Sequence, residues 1–436
     1  MRVVLTIASL VKPIGGAERS LTELADGLLR RGHDVEIIVN ERAAAGSDAR
    51  PFYPLDPSIR IQNIAKPKKT SAIATPFGLV AKEYSSIHEA FRRKLKLTRP
   101  RGEDSFVLAI QETLRKTSWF RRYEREKWLE LKEPVIDRWR KAIEELAPDV
   151  VVSFMPPSFT YVSQALRGAR YPLVICYRND PYVDHQPGRY VNSSHDAKIR
   201  LESAKLADMV CVQLETYKQF FPESIQHKII CIPNIVRAAT PRGRGLDSGA
   251  GERKTILSVG RLAESKNHDL LLRSFQRLHR EFPDWDVEIF GRGALEARLR
   301  RLARKLGIEE RVSIHAPVRD IENAYREADI FAFPSKWEGF SRAHSEAMAH
   351  ALPSVGLRRC SYSREILTES DAGLLSEDDP ADFSMQLRKL MADDALRARM
   401  GMNAEDHVQA FNPKEIFDRW ENTLLRAISE KALTNR

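Results

Sequence analysis

The sequence predicts an α/β protein made of two doubly wound, parallel-sheet domains facing a cleft, the first carrying a basic helical insertion. Three observations predict it. Apolar, β-branched runs alternate with amphipathic helical stretches near both ends of the chain. A Gly-, Arg- and Pro-rich tract without apolar periodicity divides the two alternating halves. The 436 residues also exceed what one hydrophobic core usually covers.

The elements follow in order. Arg2 to Ala8 reads as a strand, and a loop with Gly15-Gly16 comes next. Leu21, Leu24, Ala25, Leu28 and Leu29 then recur at helical spacing. Gly32 ends that helix, and Val35–Val39 is the second strand. Strand, Gly-rich turn, helix, strand is a βαβ unit, so the sheet is parallel with a right-handed crossover. From about 43 to 145 the alternation lapses, apart from a possible strand near Ile59–Ile64. Two basic helix-like stretches fill the interval. One has Tyr84, Ile87, Phe91 and Leu95 on a common face; the other carries Trp119, Phe120, Tyr123, Trp128 and Trp139. Strands resume at Val150–Phe154, Leu173–Tyr177, Met209–Val212 and Ile229–Ile232, with a helix at about 196–206. Residues 237–253 form the expected linker. Beyond it, strands are expected at Thr255–Val259, Val287–Phe290, Val312–His315, Ile330–Phe333 and Ser354–Gly356. The division is therefore 1–236 (insertion at about 66–145), 237–253, 254–412, and a last helix at 413–436 expected to return to the first domain. In such sheets a ligand sits beyond the carboxyl ends of the strands, here between the domains.

Composition narrows the class. Hydrophobic residues make up 42% and charged residues 30%, as in ordinary globular proteins. No apolar run approaches the roughly 20 residues that span a bilayer. The first eight residues are too short an apolar stretch for a signal peptide and lack a cleavage site. Cys176, Cys211, Cys231 and Cys360 show no CxxC spacing and read as buried free thiols, which suits a cytoplasmic protein. The net charge of +10 is uneven. Residues 66–99 hold Lys66, Lys68, Lys69, Lys82, Arg92, Arg93, Lys94, Lys96 and Arg99 against only Glu83 and Glu89. Such a tract either attaches to an anionic membrane surface or is a solvated insertion. No nucleic-acid motif accompanies it, so nucleic acid is not an expected partner.

The chemistry concentrates in Pro334-Ser335-Lys336-Trp337-Glu338-Gly339-Phe340-Ser341-Arg342-Ala343-His344-Ser345-Glu346-Ala347-Met348-Ala349. A strand ends at Phe333, Gly339 permits a tight turn, and a helix begins near Ser341. Its amides would face the cleft as an anion site. Eight residues of helix span roughly 12 Å, beyond the carboxylate spacing of glycosidases. Glu338 and Glu346 thus read as two separate hydroxyl-binding groups. His344 and His350 fall on opposing helix faces, which argues against zinc. Neither Gly15-Gly16 nor Gly291-x-Gly293 completes the nicotinamide fingerprint.

Glu338 and Glu346, with seven residues between them, resemble the EX7E motif of the family 4 glycosyltransferases. Four further strings are similar to that family's motifs: Gly260-Arg261-Leu262 through Lys266, Ile232-Pro233-Asn234, Gly291-Arg292-Gly293 and Gly15-Gly16-Ala17-Glu18. Together they touch nearly the whole chain outside about 43–145. The resemblance implies the GT-B fold of two Rossmann-like domains, a retaining transfer, and a site that needs neither cofactor nor metal. It implies that Arg261 and Lys266 hold the donor diphosphate, Glu346 the ribose and Glu338 the donor sugar. The first domain would receive the acceptor. Gly339, Phe340, Ser341, Gly291, Ala316, Gly15 and Gly16 would complete the donor site. Cys176-Tyr177-Arg178-Asn179-Asp180-Pro181 resembles a string of polysaccharide and lipid-linked-oligosaccharide enzymes, which would set Arg178 and Asp180 on the acceptor side. A capped helix start at Asp180-Pro181 is the other reading of those residues. The family's histidine could be His185 or His195. The function so implied is transfer of a hexose or N-acetylhexosamine, from a UDP-sugar or GDP-mannose, to a glycan or lipid-linked acceptor at the cytoplasmic face. A nucleotide-sugar epimerase and a silent sugar-nucleotide-binding partner are the alternatives.

Overall fold

The computed structural model describes residues 1–11, 15–41, 51–65, 118–186, 194–239, 253–318 and 320–434. The first sheet contains β1 (Arg2–Ile7), β2 (Asp34–Val39), β3 (Arg60–Asn63), β4 (Val150–Phe154), β5 (Leu173–Cys176), β6 (Met209–Val212) and β7 (Ile229–Cys231). Their order is β3-β2-β1-β4-β5-β6-β7, and every pairing is parallel. The second contains β8 (Lys254–Val259), β9 (Trp285–Phe290), β10 (Val312–His315), β11 (Ile330–Phe333), β12 (Ser354–Leu357) and β13 (Gly373–Ser376). It is ordered β10-β9-β8-β11-β12-β13 and is likewise parallel. The GT-B α/β class expected from sequence is the one observed.

Each sheet has one switch point, where strand order reverses: between β1 and β4 in the first and between β8 and β11 in the second. Helices leave the carboxyl ends of neighbouring strands on opposite faces there, opening a crevice for a ligand.

One face of the first sheet packs on the helix Gly16–Arg30 through Leu21, Leu24, Ala25 and Leu28, all buried. The last helix, Pro413–Thr434, completes that same core with Ile416, Phe417, Trp420, Leu424 and Ala427. Its Trp420 ring stacks on Phe154 of β4 at 6.3 Å, and Phe417 lies over Gly27, which has no side chain to obstruct it. Arg31 and His33 pair with Asp418 and Glu421 at the helix surface. The chain therefore crosses between the domains twice. The described ends of the two crossings lie side by side, since Val236 N–H donates to the Phe411 carbonyl at 2.9 Å.

Several details differ from the sequence reading. The helix Pro156–Ala165 was not assigned from the sequence; it opens on two prolines, which are tolerated in the first turn, whose N–H groups have no helical partner. Strand β13 is four residues with no β-branched side chain, too weak a pattern to read. The second basic stretch is one long helix, Ser118–Leu146. Its Trp128 and Trp139 are buried, Trp128 stacking on Tyr161 at 5.9 Å. Those two aromatics serve the core and are not presented to a membrane. The basic stretch 66–99, the face with Tyr84, and most of the linker lie outside the described residues. Among the described residues, no helix is long and apolar enough to cross a membrane.

Candidate active site

The segments that follow the four switch-point strands meet in one cleft of about 630 Å³. After β1 comes Gly15-Gly16; after β4, Met155-Pro156; after β8, Gly260-Arg261; after β11, Glu338 through Ala343. Each sheet contributes the two loops that its own topology aims at the crevice.

The loop after β8 is shaped from behind. A β-carbon on Gly291 would sit 1.9 Å from the Gly260 carbonyl, and one on Gly293 would sit 2.3 Å from that of Leu262. The Gly291-Arg292-Gly293 turn thus presses Arg261 and its neighbours forward, which only residues without side chains allow. Lys266 ends a short 3₁₀ turn, and Asn267 behind it takes a left-handed conformation. The Lys336 amide donates to the Ser265 carbonyl at 2.8 Å, joining this loop to the one after β11. Lys266 Nζ then forms an ion pair with the Glu338 carboxylate. Arg261 is exposed at the cleft, and no ion pair holds it among the described residues.

After β11 the chain turns at Gly339, where a β-carbon would lie 2.4 Å from the Arg178 carbonyl of the first domain. The domains touch backbone to backbone at this point. Ser341 caps the helix Arg342–Ala349, its hydroxyl accepting from the His344 amide at 3.4 Å. Phe340 is buried against Tyr362 and Phe411.

Glu346 lies beside this cleft, in an adjoining pocket of about 450 Å³ that shares Arg19, Asn234, Phe340 and Arg342 with it. Its carboxylate receives Arg19 of the first domain at 3.3 Å and the Tyr325 hydroxyl at 3.3 Å. Arg342 reaches back to Glu23 at 2.6 Å and to Ser20 at 3.0 Å. Burial draws the Arg342 pKa down, and Glu23 acts against it.

Not every expected site residue reaches the cleft. Gly291 stands behind the Arg261 loop, and Ala316 is exposed after β10; neither lines either cavity. Asp180 is buried and caps the helix Pro181–Asp184, accepting from the Tyr182 amide at 2.9 Å. Burial lifts its pKa to about 6. It caps the helix, as the other reading of those residues had it, and does not itself line the cleft. Arg178 does line the cleft, but as a brace. Its guanidinium donates to the Ile232 carbonyl at 3.2 Å and to Asn234 at 3.1 Å. His185 packs between Tyr177 and Phe220, and burial lowers its pKa to about 4. The His195 side chain lies outside the described ones.

The histidines weighed against zinc are occupied otherwise. His344 contacts Tyr362 and Ser354 with its two ring nitrogens, and His350 contacts the Glu346 carbonyl. The sequence was read as having no Asp-x-Asp string, but one occurs, Asp284-Trp285-Asp286. It begins β9 at the sheet end opposite the cleft, where Asp286 is held by Arg253 and Arg311. Sequence reasoning also missed Arg19, Asp184 and Arg342 as cleft residues and Glu23 in the adjoining pocket. Arg19 and Arg342 find carboxylates more than 300 positions away, which no local pattern reports.

Two facing doubly wound domains with a glycine-lined cleft between switch points are the architecture called GT-B. The group 1 glycosyl transferase family matches residues 247–407, and the glycosyl transferase 4-like domain family matches 15–219. An uncharacterised glycosyltransferase of Haemophilus influenzae is 30% identical over 174 residues, 40% of this chain and 49% of that protein. The chain thus spans about half the length of that relative. The N-acetylgalactosamine-N,N'-diacetylbacillosaminyl-diphospho-undecaprenol 4-alpha-N-acetylgalactosaminyltransferase of Campylobacter jejuni is 28% identical over 285 residues, 64% of this chain and 77% of that protein. In fold, the sucrose-phosphate synthase of Thermosynechococcus elongatus superposes over 97% of both chains, with a TM-score of 0.68 and 17% identity. The chain belongs to the family 4 glycosyltransferases.

Proposed function

We propose that the protein moves a hexose or N-acetylhexosamine from a nucleotide-diphosphate sugar to a glycan or lipid-linked acceptor in surface polysaccharide assembly. A UDP-sugar is the favoured donor and GDP-mannose the second candidate. One observation carries the reading: the loops after all four switch-point strands converge on a single cleft bearing Arg261, Lys266, Glu338 and the start of the helix Arg342–Ala349. The likeness to a transferase named for a diphospho-undecaprenol-linked acceptor supports the acceptor class.

Arg261, Lys266 and the helix amides would neutralise the diphosphate as it leaves. Fixed donors aimed at developing charge are the largest contribution to such reactions, and two side-chain cations make a metal unnecessary. Lys266 pairs with Glu338; toward a seated donor the ammonium would turn to phosphate and the carboxylate to sugar hydroxyls. Glu346 would exchange Arg19 for the ribose. Attack from the face the phosphate leaves, with that phosphate as base, gives retention of configuration. We place this chemistry in the cytoplasm, at the inner face of the plasma membrane.

The test is incubation with UDP-, GDP- and ADP-sugars, following nucleotide release and product mass with and without EDTA. Release from one donor that survives EDTA and is lost in Glu346→Ala supports the metal-free transferase. An isomerised sugar still on its nucleotide would make the protein an epimerase. Donor binding without release, even with lipid-linked acceptors supplied, would make it a silent partner.

A further inference from the structure

The turn that carries Glu338 has its backbone acceptors met by the other domain. The Glu338 carbonyl accepts from the Tyr217 hydroxyl, which also reaches the Gly339 carbonyl at 3.5 Å. The Phe340 carbonyl accepts from Asn234 Nδ2 at 3.1 Å. Tyr217 and Asn234 belong to the first domain, whereas Glu338 through Phe340 belong to the second. From Ser341 onward the second domain bonds this stretch itself, the Ser341 carbonyl accepting from the Ser345 amide at 3.0 Å.

Tyr217 is itself held by a return contact. It lies on the 3₁₀ turn Glu215–Phe220 and is 0% exposed. Glu365, on the second-domain helix Ser361–Ser370, accepts from the first two amides of that turn, Glu215 at 2.9 Å and Thr216 at 2.8 Å. The first amides of a helical turn have no partner within it, so the second domain caps the element from which Tyr217 reaches back. Gly339 completes the arrangement. A β-carbon there would lie 2.4 Å from the Arg178 carbonyl and 2.6 Å from the Gln213 side-chain oxygen. The Glu338–Gly339 peptide is thus pressed against first-domain backbone and fastened by a first-domain hydroxyl.

We propose that Tyr217 is a positioning residue for the transfer: its hydroxyl holds the Glu338–Gly339 peptide across the domain boundary and so aims the Glu338 carboxylate at the donor sugar. The inference rests on the transferase reading, in which Glu338 binds that sugar. A carboxylate is aimed by the peptide it hangs from, and a small displacement of such a group costs rate. With the domains apart, the Glu338 and Phe340 carbonyls pass to water and the turn loses the bonds that fix it. Closure then assembles the sugar-binding group as well as excluding water. Arg261 and Lys266 stand on second-domain loops and need no such help. The diphosphate can therefore bind before Glu338 is set, and Tyr217 acts on turnover and not on nucleotide affinity.

The experiment compares the full native chain with Tyr217→Phe, which keeps the buried ring and removes only the hydroxyl. Affinity for UDP and GDP is measured by calorimetry, and kcat and KM by nucleotide release from the donor sugar. Hydrogen exchange is followed with nucleotide bound, and the melting temperature is recorded. In Tyr217→Phe, kcat is expected to fall about tenfold while nucleotide affinity stays within about twofold, and exchange should quicken at 336–341. Glu365→Leu should lower kcat similarly, and Glu365→Gln, which keeps one acceptor oxygen, should lower it less. The double variant of Tyr217→Phe with Glu365→Leu should lose no more than either alone. Native kcat in Tyr217→Phe, with or without a lower melting temperature, overturns the proposal. So does a loss of kcat matched by weaker nucleotide binding, or unchanged exchange at 336–341. Should Tyr217→Phe not fold, the Glu365 variants decide on the same readouts. If the native chain releases no nucleotide from any sugar, even with lipid-linked acceptors supplied, the transferase reading fails. Exchange at 336–341 still decides whether Tyr217 holds the turn.

Discussion

At the scale of single residues, the cleft contains groups that oppose stability and groups poised for a ligand. Lys266 is the cation most directly joined to the site, through Glu338. Lys266→Ala is expected to lower kcat/KM for donor turnover about 100-fold or more, the usual effect of removing one fixed charge-stabilising donor. Asp184 makes a separate, pH-dependent prediction. Burial lifts its pKa to about 6 from the ordinary 3.8, so the folded state binds its proton more tightly than the unfolded chain. Its cost is absent below about pH 4, grows as pH rises, and is complete above about pH 6. Asp184→Asn should accordingly gain stability over the native chain across that window, reaching about 3 kcal/mol at pH 7 and above. Urea denaturation at a series of pH values checks the sign. Glu338, Lys266 and Arg261 were legible because their spacing is local and repeats a family pattern. Asp184 was not, since nothing around it in sequence separates it from Asp180, which lies nearby but caps a helix.

Single elements show what periodicity can and cannot report. The strands at both switch points were legible as apolar β-branched runs, and the helix Gly16–Arg30 as a leucine stripe. The helix Pro156–Ala165 and the edge strand β13 were not, because their signal is weaker than their tertiary context. The last helix was legible too, its apolar spacing matching the groove it fills. That groove depends on Gly27, where a β-carbon would lie 1.9 Å from the Phe417 ring. Gly27→Ala is therefore expected to lift the helix and destabilise the first domain by about 2 kcal/mol through overpacking. Hydrogen exchange should show the protection loss concentrated at 413–434.

At the scale of the whole molecule, the domains are joined across the cleft by side chains no sequence pattern pairs. Arg342 with Glu23 is more buried than Arg19 with Glu346, its side chains 14% and 13% exposed. Arg342→Met should cost on the order of 3 kcal/mol by leaving a buried carboxylate short of its partner, lowering the melting temperature, with a larger radius of gyration in X-ray scattering. Long-range pairs of this kind follow from the packing of two finished domains, which explains why the motifs revealed the loops but not the contacts that bring them together. The side-by-side crossings at Val236 and Phe411 have a kinematic consequence. A body hung from one strand can swivel in three directions, whereas one hung from two adjacent strands turns mainly about the line through them. Opening is therefore expected to run mainly along one angular coordinate, with closure bringing Arg261 and Lys266 back opposite Gly15 and Gly16.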